Sequence, residues 1–185
     1  MSLIGQKKVF VGSDTSLKKF KNFMIISSTF NEFKINCNIP VKVINKNQLV
    51  GFYPLVNPKK DKNLKSLWGS FRMAFFTLSY GASNNFHFLL KLVGVGYKMF
   101  RKNEKMILRL GLSHQVFLKL PFKHFTVKKV QKRPLMFLFS SSDYDLIKNV
   151  MFFLKSFKKV EPYKGKGFSF NNELIRLKEG KKLKN

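Results

Sequence analysis

An α+β fold is predicted, with two similar domains, each a mainly antiparallel β-sheet packed on one α-helix, and a basic C-terminal extension. Three observations predict it. Short segments rich in Ile, Val and Phe are followed by an amphipathic helical pattern, and this succession occurs once before residue 82 and again after it. At 44% hydrophobic residues, with 22 phenylalanines, the 185-residue chain has the material for packed cores and is no disordered basic tail. Beyond residue 158 the apolar periodicity gives way to lysines spaced by glycines. The expected boundaries are 1–82 for the first domain, 83–158 for the second and 159–185 for the extension, with the first 20 residues flexible.

In the first domain, residues 22–27, 32–36 and 41–44 read as strands from their β-branched and aromatic content, and 47–53 follows a turn at Asn45-Lys46. Pro54 and Pro58, which cannot donate to a ladder, end the pairing. From Leu64 the period changes. Leu64, Leu67, Trp68, Phe71, Ala74, Phe75 and Leu78 fall on one helical face that ends near Gly81. On that face Trp68 reads as core and not as a stacking platform. Arg72 lies on the side away from it, toward RNA or solvent.

The second domain opens with residues 86–100, turns at Arg101-Lys-Asn-Glu104 and returns through 106–112, a hairpin with a charged tip. Gly94 and Gly96 lack the third glycine of a dinucleotide-binding fingerprint, since Met99 stands at that offset and no acidic residue follows about 20 positions on. A close strand approach or a bulge accounts for them. Strands at 125–130 and 135–139 flank the basic loop Lys132-Arg133-Pro134. A second helix follows Ser140-Ser-Ser142, with a serine cap expected and Asp143 and Asp145 set against the positive end of its dipole. Its buried stripe is expected to be Leu146, Ile147, Val150, Phe153, Leu154 and Phe157, with Lys148 and Lys155 outside it.

Charge narrows the function classes. Thirty-six Lys and Arg against nine Asp and Glu give a formal net charge of +27, which repels itself in a compact chain and calls for a polyanion. Nucleic acid supplies one, because each neutralised phosphate releases condensed counterions. A membrane is a poorer partner: the longest apolar runs fall far below the roughly 20 residues of a spanning helix, and the basic residues are spread over loops. Catalysis is not supported, since the acids are scattered and no nucleophile, base and orienting group can be assembled. Cys37 is alone, which excludes an intrachain disulfide and a cysteine-built zinc site, and His87, His114 and His124 lack metal-ligand spacing. No cofactor, metal or small-molecule substrate is expected.

Glu161-Pro-Tyr-Lys-Gly-Lys-Gly167 carries the strongest local signal. Gly165 and Gly167 let backbone amides approach an anion without a Cβ in the way, Lys164 and Lys166 bring charge to the same spot, and Pro162 fixes how the chain enters the run. Tyr163 offers a ring face for a base or sugar. The bland alternative is a solvated basic turn. Residues 158–185 hold nine Lys or Arg against three Glu, a local net of +6.

Three further stretches stand in order around this run: Leu92-Val-Gly-Val-Gly-Tyr-Lys-Met99, Leu110-Gly-Leu-Ser-His-Gln-Val116 and Asn172-Glu-Leu-Ile-Arg-Leu-Lys-Glu-Gly-Lys-Lys182. Together with the lysine-glycine run they resemble the C-terminal domain of the universal large-subunit ribosomal protein L-six family, over residues 86–182. In the first half the resemblance rests on Trp68-Gly-Ser-Phe-Arg72 ahead of an apolar helix. Val160 and Gln115 stand where the family usually has proline, and Ser27-Ser-Thr-Phe-Asn31 replaces a glycine-rich strand end.

The resemblance implies a structural constituent of the large ribosomal subunit that binds its rRNA near the sarcin-ricin loop and stalk base, supporting the docking of translation factors. It implies neighbouring ribosomal proteins as partners. Contact would be made by Lys164, Lys166, Arg176, Lys178, Lys181 and Lys182, with Gly165 and Gly167 allowing close approach and Tyr163 packing on the nucleotide. Ser113 and His114 would add a contact, the alternative for His114 being a hydrogen-bonded loop residue. The competing function is a non-ribosomal basic RNA- or DNA-packaging protein.

Residue usage adds an expectation about origin. Lysine outnumbers arginine 31 to 5, asparagine reaches 15 and alanine falls to 2, as AT-rich codons would give. With a ribosomal role, this points to a gene of an organelle genome and to the mitochondrion, ahead of a plastid or an AT-rich bacterium. The start, Met1-Ser-Leu-Ile-Gly-Gln-Lys-Lys8, lacks the Arg- and Ser-rich pattern of an imported precursor, consistent with that expectation.

Overall fold

The computed structural model describes residues 3–28, 31–37, 41–46, 48–55, 62–103, 105–120, 125–132 and 134–180. Thr29, Phe30, Pro58, Glu104, His124, Arg133, Lys181 and Lys182 lie outside them. The chain divides into two compact units, residues 1–85 and 86–185. The architecture is α+β, as the sequence predicts, but in each unit the strands form two antiparallel sheets and not one.

In the first unit, β1 (Val9–Phe10), β6 (Leu49–Pro54) and β5 (Val41–Lys46) form one sheet in that order, while β2 (Ser16–Lys19), β3 (Phe23–Ser27) and β4 (Glu32–Asn36) form the other. Residues 3–19, expected to be flexible, carry a short helix α1 (Leu3–Gln6) and the strands β1 and β2. Alternation sets which face is buried. Met24 and Ile26 of β3 point inward, and so do Val50 and Phe52 of β6. Pro54 is the last residue of β6, opposite Val41.

Helix α2 (Lys62–Ser83) covers this core with Leu64, Trp68, Phe71, Phe75, Leu78 and Ala82. Leu67 and Ala74, placed on the buried face by periodicity, are exposed: the inward stripe is narrower than the apolar one. Trp68 is 3% exposed and its indole Nε1 donates to the Phe52 carbonyl at 2.9 Å, which settles its role as core. Phe52 also meets Phe71 and Phe75 edge to face, at centroid distances of 5.2 and 4.6 Å. Arg72 turns toward the N-terminal segment. Its Nε donates to the Lys7 carbonyl at 3.2 Å and its Nη2 to the Lys8 carbonyl at 3.5 Å, pinning the N-terminal segment on α2.

In the second unit, β7 (Phe86–Val93), β11 (Phe125–Lys132), β12 (Leu135–Ser141) and β13 (Gly167–Phe170) form a four-stranded sheet in the order β11-β12-β7-β13. The strands β8 (Lys98–Lys102), β9 (Lys105–Arg109) and β10 (Val116–Lys119) form a three-stranded sheet, order β10-β9-β8. Residues 86–100 are therefore not one strand. Gly94 and Gly96, at φ of 154° and 77°, break the run and pass the chain from one sheet to the other. The hairpin with a charged tip is present, with Lys102 opposite Lys105 and Asn103 at a φ of 53°.

Helix α3 (Tyr144–Phe157) packs on the four-stranded sheet through Ile147, Met151 and Leu154, over Leu90, Phe137, Phe139 and Phe168. Phe153 is exposed and Met151 takes the place expected for it. The cap is Asp143 and not a serine: its Oδ1 accepts from the amides of Asp145 and Leu146 at 2.9 and 3.2 Å, while the Ser141 hydroxyl accepts from the Asp143 amide. β13 falls inside the stretch read as extension, and its Phe168 is fully buried. Irregular, exposed chain begins only at residue 171.

Candidate nucleic-acid interface

The lysine-glycine run connects α3 to β13, and its shape is fixed by backbone hydrogen bonds. The amide of Glu161 donates to the Lys166 carbonyl and the amide of Gly165 to the Glu161 carbonyl, both at 2.8 Å, closing a turn whose outer rim is Pro162, Tyr163 and Lys164. Gly165 sits at a φ of 66°, which explains a glycine there. Tyr163 is 54% exposed and Lys164 is exposed, while Lys166 is half-buried at the point where the turn rejoins the sheet.

Gly167 has a different task from the one expected of it. It is the first residue of β13, buried, at a φ of 137°, and an added Cβ would lie 2.5 Å from the Lys159 carbonyl oxygen and 2.9 Å from that of Lys158. The close approach it permits is to its own chain at the end of α3, where the Phe168 amide donates to the Lys158 carbonyl at 3.0 Å.

The tail then folds back on the turn. The Lys178 amide donates to the Pro162 carbonyl at 2.9 Å, and Leu177 lies over Gly165, 3.5 Å from where a Cβ would be. Exposed Arg176 and Lys178 are thereby carried beside the turn that bears Lys164 and Lys166. Glu173 anchors this return. Its carboxylate pairs with Lys155 of α3 at 2.6 Å and accepts from the Phe170 amide at 3.1 Å. The Lys155 hydrogen bond, aided by the Phe170 amide and opposed by partial burial, holds the Glu173 carboxyl below its ordinary value. One acid of the tail is thus committed to the helix.

Ser113 and His114 stand exposed on a separate loop between β9 and β10. That loop starts at Gly111, at a φ of 68°, where a Cβ would lie 3.0 Å from the Tyr97 ring. Lys181 and Lys182 lie outside the described residues. Of the residues expected to meet RNA, the fold brings together Tyr163, Lys164, Gly165 and Lys166 with Arg176 and Lys178, and leaves Ser113 and His114 on their own loop. Sequence reasoning missed Glu173 as the anchor and Gly167 as a strand residue. The alternation Gly167, Phe168, Ser169, Phe170 is the signal that marks the strand.

Among the described residues no group of three or more His, Cys, Asp or Glu is placed to hold a metal ion, and no helix is long and apolar enough to cross a membrane. His87 Nδ1 lies 2.9 Å from the Ser140 hydroxyl, as cross-strand partners of β7 and β12. The arrangement at the turn and tail is suited to holding an extended anion through cations and one exposed ring.

No protein-family model matches the chain. Curated relatives match over nearly its whole length. The large ribosomal subunit protein uL6 of Chloroherpeton thalassium is 33% identical over 183 residues, covering 98% of each chain. The uL6 of Parabacteroides distasonis is 32% identical over the same length and coverage. The large ribosomal subunit protein uL6m of Reclinomonas americana is 29% identical over 187 residues, covering 98% of this chain and all of its own.

Proposed function

This chain belongs to the uL6 family of large ribosomal subunit proteins, and on that premise we propose that it binds large-subunit rRNA through the turn at 161–167 and the tail that folds back on it. It is a structural constituent of the large subunit. Lys164, Lys166, Arg176 and Lys178, joined by Lys181 and Lys182, neutralise phosphates, Tyr163 packs on a nucleotide, and Ser113 and His114 add a contact from their loop. Gly165 keeps the turn open to the backbone of the RNA, and Gly167 holds the turn to the sheet. The site lies near the sarcin-ricin loop and the stalk base, where the protein helps shape the place at which translation factors dock.

The single observation that carries this reading is the hydrogen bond from the Lys178 amide to the Pro162 carbonyl, which merges two basic segments into one surface. A net charge of +27 supports it, since a compact chain of that charge is stabilised by a polyanion. Recognition of this type reads shape and backbone, so isolated contacts have weak sequence preference and strong salt dependence. The lysine and asparagine excess and the uL6m relative support a mitochondrial large subunit as its location.

Two measurements test it. In a sucrose gradient of native extract the protein comigrates with large ribosomal subunits, and a predominantly free pool contradicts the reading. At fixed salt a folded rRNA fragment outcompetes a random duplex of equal length, whereas equal competition favours a generic packaging protein.

A further inference from the structure

We propose a second RNA contact in the C-terminal unit: a groove between the β7–β8 turn and the β11–β12 hairpin that takes a looped-out nucleotide of single-stranded RNA. The inference rests on the rRNA-binding role proposed for the turn and tail, but on none of the residues assigned to it.

The groove encloses about 720 Å³, within the range of pockets that hold small ligands. Its chemistry has two parts. The rim carries Lys98, Lys129 and Lys132, all exposed, and among the described residues that line it there is no carboxylate. Between these lysines the lining is largely apolar, with Leu135, Pro134 and the turn around Gly96. An anion alone would satisfy the rim and leave the apolar walls in water, and an apolar ligand alone would leave three ammonium groups unmatched. A nucleotide has both faces: phosphate for the lysines and a flat ring for the walls.

The backbone on the turn side is shaped for close approach. Gly96 has a φ of 77° and, among the described residues, nothing within 4 Å of where its Cβ would stand, so a ligand can approach the main chain there. Val95 beside it is 90% exposed, an apolar side chain held into solvent at the mouth of the groove. Gly94 cannot be replaced by a larger residue, because its Cβ would fall 2.3 Å from the Tyr97 ring that props the turn. Duplex RNA keeps its bases stacked and offers phosphates and 2′-hydroxyls but no free ring face, so it would meet the rim and leave the walls unfilled; unstacked single strands present the ring.

The test uses the full chain with two substitutions in the rim, Lys129→Ala and Lys132→Ala, and a control pair in the N-terminal unit, Lys18→Ala and Lys42→Ala, which removes the same charge. The probes are a fluorescent oligouridine and a duplex RNA of equal length, titrated by anisotropy across salt. The rim pair should lower the slope of log affinity against log salt for oligouridine by about 1.4, at about 0.7 for each of two phosphates no longer neutralised, with the control pair leaving it unchanged. Val95→Asp, at an exposed position that folding does not need, should weaken oligouridine more than duplex. Equal effects of the two lysine pairs would reduce the result to net charge and overturn the proposal, as would no effect of the rim pair. Wild-type protein that binds folded rRNA but not oligouridine overturns the groove alone and leaves the turn and tail standing. Wild-type protein that fails to bind folded rRNA would instead strike at the rRNA-binding function itself.

Discussion

The Lys155 ammonium of α3 lies 2.6 Å from the Glu173 carboxylate, and this pair fastens the basic tail to the helix that covers the C-terminal sheet. Both groups are partly exposed, so the pair contributes no more than about 1 kcal/mol to global stability. Its effect is local. With Glu173→Gln the tail loosens, and trypsin cleaves after Arg176 and Lys178 faster while the global unfolding midpoint hardly moves; an unchanged cleavage rate would deny the anchor.

The same pair sets a pH dependence. The Glu173 carboxyl is held below the usual glutamate value of about 4.3, chiefly by the Lys155 hydrogen bond. A carboxylate with a depressed folded pKa stabilises the fold fully above its unfolded value, and that contribution disappears as pH falls through the folded one. The Phe170 amide, which donates to Glu173, should therefore report the titration in NMR spectra at a midpoint below that of a free glutamate. A midpoint at or above it contradicts the pairing.

Gly167 and Gly180 should respond differently to alanine. At Gly167 the φ of 137° and the Lys159 carbonyl in the path of a Cβ make Gly167→Ala costly, about 2–3 kcal/mol in chemical denaturation. Among the described residues nothing lies within 4 Å of where a Gly180 Cβ would stand, and Gly180→Ala should stay within about 0.5 kcal/mol. A neutral Gly167→Ala would return this glycine to the RNA-facing role that the sequence suggests.

Asp143→Ala should destabilise the C-terminal unit by about 1 kcal/mol, because two amides at the start of α3 lose their acceptor. Asp143→Asn keeps an oxygen in the same place and should cost less. Thermal unfolding of the two variants distinguishes a cap from a charge effect: equal destabilisation would mean that charge against the helix dipole, and not the cap, matters at this position.

How far the sequence reveals this molecule depends on the range of the interaction concerned. The strands 23–27 and 32–36, the first four residues of β5 and both long helices are legible, because burial alternation and helical spacing are local, whereas Asn45 and Lys46, read as a turn, still pair with Val50 and Leu49 in β5. The N-cap is missed by one residue because Ser142 and Asp143 are both good caps, and only the chain direction decides between them. β13 is hidden because its partner, β7, lies about 80 positions earlier and its four residues follow a glycine-lysine turn that reads as loop. Leu67, Ala74 and Phe153 are misplaced because spacing defines the centre of an apolar face, while its width depends on the sheet beneath. At the site, the turn itself is legible in Lys164, Gly165 and Lys166. Its joining to Arg176 and Lys178 is not, since that rests on one backbone hydrogen bond between residues 162 and 178.

The central claim, that the turn and folded-back tail hold rRNA, is tested most directly by the salt dependence of binding in a Lys164→Ala, Lys166→Ala variant. The slope of log affinity against log salt should flatten by about one to two, at about 0.7–0.9 for each phosphate no longer neutralised, with circular dichroism unchanged. A slope identical to that of the wild type, in a variant that is folded, would contradict the account.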